Sequence, residues 1–251
     1  MIGHLRLYQR IVAVVLLAAI TLPAISEEPD WSVYDQILAK YVAPGEKAGM
    51  IVNLVDYEAL AKDPGFAIVV EQVRNFDPKQ LQSENEKLAF YINAYNILTI
   101  QLILDHWPTK SIRDIGGFFK GPWDIVMLVN GDGKLTLDDI EHKIIRPIGD
   151  PRIHFAVNCA SLSCPDLALT AFRGNLVREQ LEAGAVQFFQ HKGKGAYLEG
   201  KVLHVTQLLD WYGKDFKAGG GIEKFLKKYV SGTGFDEVET DIEYNWSLNS
   251  K

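Results

Sequence analysis

Cysteine is scarce in this chain, with two in 251 residues, Cys159 and Cys164. Neither lies directly after the N-terminal apolar stretch, which excludes a lipoprotein anchor there, and no second half of a zinc ligand set accompanies them. Basic residues are outnumbered, 26 to 32, so nucleic acid is a poor partner. Phosphate-binding loops and dinucleotide glycine patterns are missing, and no cofactor is expected. Internal repeats and low-complexity tracts are missing too, so the expectation is an ordered globular chain.

What is present begins with an export signal. Arg6 and Arg10 precede an apolar run from Ile11 to Ile25, and Ala24 and Ser26 occupy the small-residue positions of a cleavage site before Glu27. Cleavage after residue 26 leaves 24 basic and 32 acidic side chains, net −8. The expected product is periplasmic or secreted, and no later segment reads as apolar enough to cross a membrane. Some 225 residues are then ample for a core, to within about one domain.

Helical spacing marks Trp31–Val42, and Val55–Phe76 reads as two helices split at Asp63-Pro64-Gly65. A long helix is expected over Ser83–His106, opened by a capping box of Ser83 and Glu86, with an apolar stripe through Leu88, Tyr91, Ile92, Tyr95, Leu98, Thr99 and Leu102. Asp124–Leu137 reads as a hairpin about Asn130-Gly131-Asp132-Gly133, followed by a short helix opened by Thr136 and Asp139. A buried strand is expected at Arg152–Val157, a helix at Asn175–His191 and a hairpin about Glu199-Gly200-Lys201. Helices near Gln207–Phe216 and up to Val230, then a strand at Ile242–Leu248, complete the chain. The class is α+β, a helical N-terminal part packed on a small, mostly antiparallel sheet in one main domain.

The ordered segments FYINAYNI (90–97), LTLDDIEH (135–142), DPRIHFAVNCASLSCP (150–165), LLDWYGKDF (208–216) and YNWSLN (244–249) resemble domain-of-unknown-function family 547. The resemblance covers about residues 83–249, leaving 1–26 as signal peptide and 27–82 as a helical extension. It implies an extracytoplasmic setting and a set of positions, without a reaction.

Those positions allow two functional readings. In the first, Cys159 and Cys164 form a disulfide that shapes a loop of a binding module for a peptide or envelope protein. In the second, Cys159 is the nucleophile of a hydrolase or acyltransferase, with His142 or His154 as base and Asn158 or Asn93 as orienting or oxyanion groups. An extended chain would set His154 about 16 Å from Cys159, which favours His142, oriented by Asp138 at i−4. Asn93 and Asn96 share a face of an otherwise apolar helix, and their plainer role is a buried hydrogen-bond network. Calcium is disfavoured along Asn130–Glu141, because Lys134 and Leu135 stand where a calcium loop needs a ligand and a glycine. Trp211 and Tyr212 read as core or groove lining.

Overall fold

The computed structural model describes residues 28–117, 119–130, 133–230 and 234–251, so the expected leader and its cleavage site lie outside the described residues. Helix α1 (Ser32–Tyr41) buries Tyr34, Ile37, Leu38 and Tyr41, one face at three- and four-residue spacing. It leads into an antiparallel hairpin, β1 (Val42–Lys47) and β2 (Met50–Val55), that the sequence reading missed. Pro44 lies within β1 and demotes it as a strand, while the turn places Ala48 as well as Gly49 at positive φ, without an Asn-Gly signal.

Helices α2 (Tyr57–Leu60) and α3 (Pro64–Asn75) are capped by the carboxylates of Asp56 and Asp63, and Pro64 sits in the first turn, where its missing N–H costs nothing. Helix α4 (Glu84–Asp105) starts with the expected Ser83–Glu86 capping box. Its burial goes beyond a stripe: every residue from Leu88 to Ile100 is buried, with α3 packed against it and α1 packed against α3. This corrects the composition argument about membranes. Helix α4 has the length and hydropathy of a span, but it is the core helix, with 83% of its most apolar window buried inside the protein.

Strands β3 (Val126–Asn130) and β4 (Gly133–Thr136) form the expected hairpin, its tip at Gly131 and Asp132 lying outside the described residues. Thr136 and Asp139 then cap each other around α5 (Leu137–Asp139), which runs on as a π-helical turn, Ile140–Ile145. The strand expected at Arg152–Val157 does not exist. Pro151–Phe155 is a 3-10 turn, begun by Pro151 and by the Asp150 carboxylate, which accepts from the Arg152 amide. Residues Ile153 to Val157 are all buried, so the run carries no true alternation between faces.

Helix α6 (Val177–Gln190) precedes the hairpin β5 (Ala196–Glu199) and β6 (Val202–Thr206). Helix α7 (Leu208–Trp211) is a single turn, shorter than expected, and α8 (Ile222–Tyr229) follows. Strand β7 (Glu237–Ile242) pairs parallel with β6, so it ends where a final strand was expected to begin. The tail beyond it crosses the cysteine loop instead: the Leu162 amide donates to the Ser247 carbonyl at 2.9 Å and Asn245 donates to Ser163 Oγ at 2.8 Å. The class is α+β, with three small, mostly antiparallel sheets among the described residues in place of one.

Two amides of α4 join this core to the loops. Asn93 accepts from the Phe172 amide at 2.9 Å and donates to the Phe172 carbonyl at 2.8 Å. Asn96 accepts from the Asn158 amide at 2.8 Å and donates to the Ala156 carbonyl at 3.0 Å. Asn96→Ala strands both backbone groups in a dry interior and is expected to cost about 2–4 kcal/mol. Urea denaturation checks this, and a loss below about 0.5 kcal/mol, the range of ordinary surface substitutions, would contradict the role.

Candidate functional site

The loop that follows Phe155 is held from several directions. Asn158 closes it internally, donating to the Pro165 carbonyl at 2.7 Å and accepting from the Ala160 amide at 2.9 Å. Cys159 and Cys164 are joined by a disulfide, with their Cα atoms 6.1 Å apart. Beneath it lies Lys194, only 1% exposed, whose ammonium donates to the Cys164 carbonyl at 3.0 Å and to Asp166 at 2.7 Å. Asp166 also accepts from the Asn53 amide, which ties the unanticipated N-terminal hairpin to the same loop.

The exposed side of this loop forms one wall of a cleft. Its inner chamber, about 70 Å³, is lined by Cys159, Cys164, Tyr95, Glu141, His154 and Tyr244, among others. An outer part of about 400 Å³ adds Asp124, Asp138 and His142. The two share Trp123, Glu141, Trp211, Tyr212 and Trp246. Trp246 stands edge-on to Trp123 at 5.9 Å and parallel to Trp211 at 6.0 Å, so indoles frame the mouth. Trp211 remains 46% exposed at that mouth.

Polar groups are few and connected. Arg146 grips Asp215 with two bonds, Nε to Oδ2 at 2.7 Å and Nη2 to Oδ1 at 2.9 Å, which holds that carboxyl below its ordinary pKa. With Asp215 ionised, His154 Nε2 carries a proton and donates to it at 2.8 Å. The imidazole is stacked on Tyr212 at 3.9 Å, and its Nδ1 is buried without a hydrogen-bond partner. Burial lowers the His154 pKa to about 4, against the opposing pull of Asp215. Glu141 is 6% exposed, and burial raises its pKa although His142, Tyr212 and Tyr95 lower it. Its Oε1 has no hydrogen-bond partner.

Among known families, one described as a protein of unknown function, DUF547, matches residues 78–189. The family resemblance is thereby shown over that segment. No curated protein and no solved structure matches the chain. The DUF547 segment carries α4, the α5 turn and the cysteine loop, and ends within α6. Trp211, Tyr212, Asp215, Tyr244 and Trp246 lie beyond the match, so the cleft is closed by chain outside it.

Of the residues singled out from sequence, the DUF547 segment brings Cys159, His154 and His142 to the cleft. His154 faces the same chamber as Cys159, since the 3-10 turn removes the extended chain on which a 16 Å separation was reckoned. His142 lies in the outer part, with Nε2 3.1 Å from Asp138, the i−4 residue expected to orient it, and Nδ1 2.7 Å from Arg146. Asn93 and Asn158 are spent on loop backbone and do not line the cleft. Sequence reasoning missed Glu141 and Asp215. Glu141 had a signal, because with Leu137, Ile140 and Ile145 it falls on the buried face of the turn. Asp215 had none, being 61 residues from His154.

Unfolded, His154 takes up a proton near pH 6.5, and folded only near 4, so stability falls as pH drops through that window. The contribution reaches about 3 kcal/mol at its lower end. His154→Gln is expected to flatten that part of the stability–pH profile measured by urea denaturation between those values; an unaltered slope would show that the histidine is not the group responsible.

Proposed function

We propose that this chain is an exported binding module of the cell envelope, whose aromatic cleft takes a segment of peptide or protein and whose Cys159–Cys164 bridge shapes one wall. The observation that carries the reading is the cleft itself: the half-buried indoles of Trp123 and Trp246 and the exposed one of Trp211 stand around a few polar groups, the composition of a ligand site. The bridge supports it, since a bonded Cys159 has no free thiolate, and an oxidising compartment fits the basic and apolar N-terminal pattern.

A second reading has a specific observation in its favour. The unpartnered Nδ1 of His154, with Asp215 behind it, lies in the chamber that Cys159 also lines, the disposition of a base and orienting acid beside a nucleophile. That reading, a thiol-dependent hydrolase or acyltransferase, requires the bridge to be opened by a thiol reductant.

Intact mass after iodoacetamide treatment, with and without prior reduction, separates the two. The module predicts labels only after reduction, and peptide binding that survives Cys159→Ser. Rapid single labelling at Cys159 without reduction, in mildly acidic buffer, would overturn it in favour of the enzyme.

A further inference from the structure

Glu141 is an expensive residue to bury, and one of its carboxylate oxygens has no hydrogen-bond partner. Its carboxyl lies against Tyr95 of α4 and Tyr212, the residue after α7, yet Oε1 has no hydrogen-bond partner. The residue lines both the inner chamber and the outer cleft, so its side chain lies where the two meet. We propose that the narrow end of the cleft receives the ammonium group of a lysine side chain, bonded to Glu141 and surrounded by indole and phenol rings. This inference rests on the cleft being a peptide-binding site and names what that site selects.

Charge points the same way. The outer cleft carries Asp124, Asp138 and Glu141, with His142 paired to Asp138. Arg146, the nearby guanidinium, is committed to Asp215 by two bonds. The rings already attract cations: the Arg113 guanidinium lies 5.2 Å from the Trp246 ring and that of Arg146 lies 5.1 Å from Tyr212. No such contact is made to Trp123 or Trp211 among the described residues, and Trp211, though stacked on Trp246 on one side, keeps 46% of its surface exposed.

Shape and valence select lysine over arginine. A chamber of about 70 Å³ admits a thin stem and a compact head, with the peptide backbone kept in the 400 Å³ outer part. One unpartnered oxygen suits a point charge, whereas a guanidinium fork is best met by two. The four-carbon stem would bury against Trp211 and Trp246 while the ammonium reaches Glu141.

The test uses the mature, oxidised protein and three capped tripeptides, acetyl-Gly-X-Gly-amide with X as lysine, norleucine or arginine, titrated by tryptophan fluorescence and calorimetry. The lysine peptide is expected to bind about tenfold or more tightly than the norleucine peptide, which keeps the stem and lacks the charge, and more tightly than the arginine peptide. Glu141→Gln, which keeps the shape, should remove that preference for lysine over norleucine, and Trp211→Ala, an exposed position, should weaken the lysine peptide without unfolding the chain. Equal binding of lysine and norleucine peptides would overturn the cation inference while leaving the peptide-binding reading intact. Stronger binding of arginine would overturn the choice of lysine, and no binding by any of the three would overturn both the inference and the reading beneath it.

Discussion

The side-chain amide of Asn96 is the interaction on which the candidate site depends. It bonds backbone on both sides of Val157, at the Ala156 carbonyl and the Asn158 amide, and it does so from the middle of a helix that is buried all round. In so dry a setting each of those groups is costly to leave unpaired, so the loop has one position relative to the core. Asn158 passes the constraint on, bonding Ala160 and Pro165 and thereby fixing both ends of the segment that the disulfide closes. A six-residue ring bonded at its base by Lys194 and along its edge by Leu248 and Asn245 has little freedom left.

Rigidity on that side gives the cleft its character. Tyr244, Trp246 and Cys159 are placed by the loop and the tail that crosses it, while Tyr95 and Glu141 are placed by the core. The two sets face each other across the chamber, with Tyr212 and the His154–Asp215–Arg146 chain along one side. Every charged group of that chain has a partner, and the polar atoms left over, Glu141 Oε1 and His154 Nδ1, belong to residues that line the chamber. Natural interiors satisfy nearly all buried polar groups, and two of the exceptions among the described residues fall in this one cavity.

Local signals carried much of this into the sequence. Ser83 with Glu86, Thr136 with Asp139 and Asp63 before Pro64 each announce a helix start by chemistry confined to a few residues, and each is found where that chemistry puts it. The β1–β2 hairpin was invisible because its turn uses Ala48 in a left-handed conformation that alanine rarely signals. Pro151–Phe155 misled because full burial on all sides erases the distinction between a strand and a tight helical turn. The cysteine loop was legible as a motif, and its two sulfurs as a pair. Its partners Lys194 and Tyr244 were not, nor was the Asp215 partner of His154, since they arrive from 30 to 85 residues away through tertiary packing that no spacing rule encodes.

Amide hydrogen exchange, read residue by residue before and after reduction of the disulfide, tests most directly whether the cleft wall is a loop held onto a rigid helix. The account predicts that reduction raises exchange within residues 158–165 and along 245–249, which bond to that loop, while the amides of α4 from Leu88 to Ile100 keep their protection. Unchanged exchange throughout, or a loss of protection that spreads through α4, would contradict it.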